Sequence, residues 1–342
     1  MSEKIFNGKR IVRAAIAQIS PVFMDKKKTI QKANEYIMAA GKAGADIVVF
    51  PESFIPAFPY WHEGPNDNIE DFAKVNLDFQ NNAVIVGSED TMMIGQVAKE
   101  ANVNVVMGCT ELDRREGSRT LYNSMIYFNR DGEVIGTHRK VVPTNTERCF
   151  HGMGQGGANL LVKNMDIGKV GGLVCWENHM IMMRAMMACQ GEEIHVACWP
   201  GTFSGMPEGT MTVVDSERKN PQSYNTSDIE PAIRAHGFET QGFVLSACAY
   251  MPKAEVPDDF PYKNATNWDW AYGGSSIIDP FGCYVVEPVY DREELIVADL
   301  DSDMIKLAKH SFDVMGHYSR PDLVKLVYKD TEDDYIIKMS EL

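Results

Sequence analysis

The chain has 342 residues, 44% of them apolar and 24% charged, with a formal net charge of −15. That length carries one large α/β domain or two ordinary ones, and the negative charge argues against nucleic acid or an anionic membrane as partner. No apolar run reaches the roughly 18 residues of a membrane-spanning helix, and "MSEKIFNGKR" lacks the apolar core of a secretory signal. The seven cysteines, at 109, 149, 175, 189, 198, 248 and 283, are odd in number and irregularly spaced. They read as reduced thiols of a cytoplasmic protein rather than a disulfide framework.

In chain order, "IVRAAIAQI" (11–19) alternates as a strand does, and 27–45 has helical spacing at Ile30, Ala33, Ile37 and Ala40. "DIVVFPE" (46–52) is a short apolar strand stopping at Pro51-Glu52, so the chain begins β-α-β. A helix over 88–102 and a strand over 103–112 follow, then a hairpin over 120–140 that turns at Asp131-Gly132. "GKVGGLVC" (168–175) is a strand, and a methionine-rich helix ends at Gly191. "IHVACWP" (194–200) is a strand, 204–227 a polar exposed insertion, 228–241 a helix and 242–250 a strand. A second hairpin (273–289) turns at Phe281-Gly282, and "ELIVADLD" (294–301) is the last clear strand. No repeat or linker divides the chain, and β-α units interrupted by hairpins exclude an all-parallel sheet.

Three predicted strands end on reactive residues: Glu52, Lys140 and Cys175. Strand ends of α/β folds are where ligand sites gather. A thiol supplies a nucleophile, a carboxylate moves its proton, and an ammonium stabilises developing negative charge. Taken singly, each residue has a blander reading: a packing cysteine, a solvated turn glutamate, a surface lysine. Spacing alone does not bring them together.

The surrounding motifs do more. "VVFPESFIPAFPYW" (48–61), "HRKVVPTNTER" (138–148), "GGLVCWENHM" (171–180), "IHVACWPG" (194–201) and "GHYSRPDL" (316–323) occur in this order, with "TLYNS" (120–124) and "FHGMGQGGANL" (150–160) between them. Together they resemble the nitrilase superfamily of carbon–nitrogen hydrolases, and the "CWE" form with the "GHYSRPD" tail resembles its nitrilase branch. The resemblance runs from about residue 11 to 325. It implies an α/β fold, the αββα four-layer sandwich of two mixed sheets face to face with helices outside. A single domain over 1–325 with a C-terminal tail over 326–342 is expected. The family's Glu-Lys-Cys set falls on Glu52, Lys140 and Cys175, and a further glutamate, which positions the lysine or the attacking water, on Glu147. The rival for Glu147 is a plain salt bridge to Arg148 or another cation.

Around these residues several roles stay open. Trp176 offers its backbone N–H as an oxyanion donor, or its indole as a pocket wall. Glu177 reads as a surface charge at a helix N-terminus. Tyr60 and Trp61 line a substrate cleft or an interface loop, and Trp199 joins the candidate substrate-binding set. The methionines at 180, 182, 183, 186 and 187 cover too much of their helix for one narrow face and read as core or subunit packing. "GMGQGG" (152–157) lacks the strand-loop-helix setting of a phosphate cradle and reads as a flexible loop.

The eight histidines show no HExxH and no CxxC exists, so neither a metal nor another cofactor is expected. The expected activity is a nitrilase: a nitrile, the small-molecule partner, goes to carboxylic acid and ammonia through a Cys175 thioimidate and thioester. An amidase or hydratase-type member using the same residues is the alternative, and a catalytically silent scaffold is the reading from another class. The resemblance also implies a homo-oligomer, a dimer or larger.

Overall fold

The first strand, β1 (Ile11–Gln18), shows how the molecule is layered. Val12, Ala14 and Ile16 face one core, while Ala15 and Ala17 face another. A strand whose two faces are both apolar must be covered on both sides. On one side lie the helices α1 (Lys26–Lys42) and α3 (Glu89–Ala101), which bring Ile30, Ala33, Ile37, Ala40, Ile94 and Ala98 to that core. The Asp25 carboxylate accepts from the Lys28 N–H and starts α1, satisfying one of the free amides of the first turn. On the other side lies a second sheet. The computed structural model describes residues 4–63, 68–154, 156–201, 228–264 and 270–330.

The first sheet also contains β2 (Ile47–Val49), β3 (Asn104–Leu112), β4 (Leu121–Phe128), β5 (Val134–Arg139) and β13 (Glu294–Asp301), in the order β13-β1-β2-β3-β4-β5. The second runs β10 (Tyr250–Met251), β11 (Ala271–Ile278), β9 (Phe243–Cys248), β8 (Ile194–Trp199), β7 (Gly168–Val174) and β6 (Lys163–Met165), with β12 (Tyr284–Tyr290) paired to β11. Both sheets are mixed: β1-β2-β3 and β7-β8-β9 pair in parallel, and the hairpins pair antiparallel. Val49, Val106, Met125 and Tyr127 of the first sheet share one core with Val170, Val174, Val196 and Leu245 of the second. The helix α4 (Ile181–Cys189) packs Met186 and Met187 on Leu173, and α5 (Ile229–Thr240) lies against β9 and β11. This is the αββα sandwich, two mixed sheets face to face with helices outside.

Several elements depart from the sequence reading. β2 is shorter than 46–52, because the chain leaves the sheet at Phe50, whose N–H still bonds to Val106 O at 2.9 Å. Two helices were not foreseen, α2 (Ile69–Asn81) and α6 (Ser302–Ser311). The start of α2 carried a legible signal: Asn68 caps it by accepting from Glu70 and Asp71 N–H, and Val75 and Phe79 face inward. The insertion read over 204–227 lies outside the described residues. The methionine helix splits by face, with Met186 and Met187 buried and Met182 exposed. In the 316–330 segment Leu326 packs on the Leu173–Met187 cluster, while Tyr318, Leu323 and Tyr328 remain exposed. Among the described residues no helix is long and apolar enough to cross a membrane.

Candidate active site

Glu52 follows β2 in a turn that lies directly on β3. A Cβ on Gly108 of β3 would come within 1.8 Å of Pro51 O, so only glycine lets the turn close down there. The Glu52 N–H donates to Trp199 O at 3.3 Å, which ties the end of β2 in the first sheet to the end of β8 in the second. Lys140 follows β5, and its N–H donates to Asn123 O on β4 at 2.7 Å. Cys175 follows β7. The glycine pair before it is a packing requirement: a Cβ at Gly172 would meet Val196 O at 2.6 Å, and one at Gly171 would meet Glu192 Oε1 at 2.0 Å. Cys175 itself takes φ +54°, a left-handed conformation that non-glycine residues adopt seldom and at a cost of roughly 1–3 kcal/mol. Ser53 and Asn145, flanking the other acidic residues of the site, are left-handed as well.

Two of the three strand ends are in direct contact, and Cys175 lies within electrostatic reach of both. Lys140 Nζ donates to Glu52 Oε1 at 2.9 Å and to Glu147 Oε2 at 2.7 Å, with all three side chains fully buried. Asn123 Nδ2 bridges the same two carboxylates, at 2.6 Å to Glu52 Oε1 and 2.9 Å to Glu147 Oε1. Glu147 is fully occupied: Oε2 also accepts from Thr144 N–H at 2.8 Å, and Oε1 lies 3.0 Å from His151 Nδ1. Arg148 is not the cation that Glu147 pairs with, since its guanidinium donates to Pro143 O; that cation is Lys140. Glu52 differs in one respect. Its Oε2 is buried and has no hydrogen-bond partner among the described residues.

These surroundings separate the two carboxylates. Burial, reinforced by the Glu147 charge, pushes Glu52 up to about 7 despite Lys140. Burial acts on Glu147 in the same sense but is outweighed by Lys140, His151 and Asn123, which hold it well below the usual carboxylate range. Burial would also discharge Lys140, yet the Glu52 and Glu147 carboxylates keep it an ammonium. The Cys175 thiol is pushed up by burial and by the Glu52 charge, against the pull of Lys140. The resting site is therefore a neutral thiol, a fixed ammonium with a fixed counter-ion, and one carboxylate that titrates near neutrality. A carboxylate with that pKa and a free oxygen is suited to take and return a proton.

The remaining candidates are placed unevenly. Tyr60 is buried near Glu52 and donates its hydroxyl to Pro200 O at 2.7 Å. Trp61 lies wholly inside an aromatic cluster, with ring centroids 5.3–5.9 Å from Phe260, Phe79, Phe23 and Phe150. Trp199 is buried with its ring 6.1 Å from that of His179, and Trp176, partly exposed, faces the same imidazole at 5.9 Å. Glu177 is not the surface charge expected of it: it is buried behind the turn that carries Cys175, because the turn after β7 folds it inward rather than opening a solvent-facing helix.

Sequence reasoning also missed Asn123, although it lies within "TLYNS", and it missed His151 and Asn178. Asn178 Nδ2 donates to Cys175 O at 2.8 Å, and its Oδ1 lies 2.8 Å from His195 Nε2. His195 and His236 both bond to Glu192, at 2.9 and 2.8 Å, and their rings stack at 3.7 Å. Among the described residues Glu192, His195 and His236 bring three ligand-type atoms within 4.8 Å. Those atoms are engaged with one another, and no sequence motif marks the group.

Comparison with known proteins agrees with this fold. Residues 13–310 match the carbon–nitrogen hydrolase family model, and the chain belongs to that family, within the nitrilase branch of the nitrilase superfamily. It is a hydrolase acting on carbon–nitrogen bonds. It is 34% identical to nitrilase 2 of Arabidopsis thaliana, over 95% of this chain and 91% of that protein. It is 33% identical to an aliphatic nitrilase of Sinorhizobium fredii, over 95% and 98%, and 34% identical to a bifunctional nitrilase/nitrile hydratase of Lupinus angustifolius, over 93% and 86%. A Saccharomyces cerevisiae member of the nitrilase superfamily shares the fold, with a TM-score of 0.68 at 21% identity over 92% of this chain and 98% of that one.

Proposed function

We propose that this chain is a nitrilase, and that Cys175, Glu52, Lys140 and Glu147 carry the reaction. The observation that carries the assignment of roles is Glu52: a carboxylate raised to about 7, with one oxygen tied to Lys140 and the other unpartnered. Ionised Glu52 takes the Cys175 proton as sulfur attacks the nitrile carbon. The nitrile nitrogen receives that proton from Glu52, giving a thioimidate. Water then adds, Glu52 passing its proton to the nitrogen, and as the carbon–nitrogen bond breaks Glu52 carries the new hydroxyl's proton to the same nitrogen, which leaves as ammonia. A thioester remains, and a second water releases the carboxylic acid and the thiol. Lys140 stabilises negative charge at each tetrahedral stage together with the Trp176 backbone N–H. Glu147 keeps Lys140 charged and in place.

Tyr60, Trp199 and Trp176 wall the substrate side, and Trp61 holds that wall from behind through its aromatic neighbours. The similarity to a bifunctional nitrilase/nitrile hydratase supports some amide release besides acid. We further propose one domain over 1–325 with a tail over 326–342, a cytoplasmic homo-oligomer, and no nucleic-acid or membrane partner. The exposed Ile181, Met182, Leu323 and Val324 are the apolar surface that a second copy would cover.

The test is a panel of aliphatic and aromatic nitriles and simple amides incubated with purified protein, read for ammonia, acid and amide. Acid and ammonia from nitriles are expected. Ammonia from amides with none from any nitrile would make the protein an amidase, and amide alone from every nitrile would make it a hydratase. An inert protein would be a scaffold.

A further inference from the structure

Two strand ends must stay in register for the proposed chemistry: that of β7, which carries Cys175, and that of β5, which carries Lys140. They belong to different sheets, so no strand ladder connects them. We propose that Glu177 is the positioning residue that connects them, a single buried carboxylate fastening the nucleophile turn to the lysine-bearing segment. This rests on the reading of Cys175 and Lys140 as partners in one reaction.

The geometry is direct. Glu177 Oε2 accepts from Val174 N–H, the residue before Cys175, at 2.7 Å. Its Oε1 accepts from Val141 N–H, the residue after Lys140, at 2.6 Å. Val141 lies past the last paired residue of β5, Arg139, so Glu177 supplies the hold that the sheet no longer does. A carboxylate this deeply buried needs a counter-charge. His138 provides it. Its Nε2 lies 2.7 Å from Glu177 Oε2, and its Nδ1 lies 2.8 Å from Asn159 O. A carboxylate and a carbonyl can only accept, so both ring nitrogens carry a proton and His138 is an imidazolium. Burial works against that charge, but Glu177 more than restores it and raises His138 above its ordinary value. The result is a neutral, rigid ion pair one residue away from each of the two reacting groups. Displacement of a reacting group by about 1 Å can cost on the order of 100-fold in rate.

Glu177→Gln separates this role from a merely structural one. An amide has one acceptor oxygen. With that oxygen toward Val174 and His138, its NH₂ group faces the Val141 N–H and the link to the Lys140 segment is broken. Glu177→Asp keeps the charge and withdraws it by one methylene, about 1.5 Å, so both backbone bonds cannot be held at once. Each variant is purified and measured for melting temperature, for kcat and KM on a nitrile accepted by the parent, and for the rate at which iodoacetamide alkylates Cys175, read on the Cys175 peptide after digestion because Cys149, Cys189 and Cys283 are exposed thiols as well. We expect folded proteins with kcat lowered at least ~10-fold, KM within about threefold of the parent, and Cys175 alkylation slowed or accelerated at least about threefold.

Folded variants with parent kcat and parent alkylation would overturn the proposal. So would a lowered melting temperature with unchanged kcat and alkylation per folded molecule, and so would failure of both variants to fold, since Glu177 would then hold the fold rather than the site. The alkylation arm does not need nitrile turnover. A parent that turns over no nitrile, but whose Cys175 reactivity changes in Glu177→Gln, would sink the nitrilase reading and leave the positioning role standing.

Discussion

Replacing Glu147 by glutamine probes how the site divides its charges. Glu52 and Glu147 share one ammonium, at 2.9 and 2.7 Å, and one amide donor, at 2.6 and 2.9 Å. Their carboxylates therefore lie about 5 Å apart, where two unit charges at an effective dielectric of about 20 repel by roughly 3 kcal/mol. At about 1.4 kcal/mol per pH unit that repulsion is worth up to roughly 2 units on Glu52. Glu147 raises Glu52, so its neutralisation lowers Glu52, and it also leaves Lys140 a single carboxylate to attract. Both effects have the same sign. With ionised Glu52 as the proposed base, the acidic limb of kcat/KM should lie near pH 7 in the parent and move down by roughly 1–2 units in Glu147→Gln. The same substitution weakens the stabilisation of the protonated nitrogen about to leave, and a change of about 1.4 kcal/mol between the two exits alters the product ratio tenfold. The assay is a kcat/KM profile from pH 5 to 9 on one accepted nitrile, with acid and amide quantified at each point. A limb still near pH 7 together with an unchanged acid-to-amide ratio would refute both the assignment of the limb to Glu52 and the role of Glu147.

Asn123→Leu removes a hydrogen bond that favours ionised Glu52, so its acidic limb should move the opposite way, above pH 7; a downward shift would contradict the network as drawn. Cys175→Ala should fold normally and retain less than about 1% of parent turnover, and acid production above that level would remove the covalent path. Glu52→Gln and Lys140→Ala should each lower kcat by roughly 100-fold or more, and the double variant by far less than the product of the two; near-parent activity in either single variant would unseat that residue. Glu52→Gln also has a stability signature. The folded carboxyl titrates about 7 against 4.5 in the unfolded chain, so ionising it costs stability as pH rises between those values. The melting temperature of Glu52→Gln relative to the parent should therefore increase across that window, and a flat difference would show that Glu52 does not titrate there. Light scattering should find a dimer or larger species, and an active monomer would dispose of the proposed assembly.

Much of this protein is legible in the sequence alone, because those features are local. Alternation at 11–19 reports a strand covered on both faces, and the 3.6-residue spacing of Ile30, Ala33 and Ile37 reports the helix that covers one of them. Glu52, Lys140 and Cys175 stand out because each closes a predicted strand, and the ordered motifs around them carry the family resemblance and, with it, Glu147. What the sequence does not contain is distance. Glu52 and Lys140 are 88 positions apart and their contact depends on two chain segments returning to one point of the sandwich. Glu177 looks like a surface charge because it follows a predicted strand and precedes a helix. Only the packed turn, with Val174, Val141 and His138 around it, makes it a buried anion. Glu52 and Glu147 are the same residue type, and nothing local distinguishes them. Tertiary structure decides that one carboxylate is saturated with four partners while the other keeps an oxygen free, and the resulting difference in desolvation and hydrogen bonding holds the first ionised and fits the second for the proposed role of proton carrier.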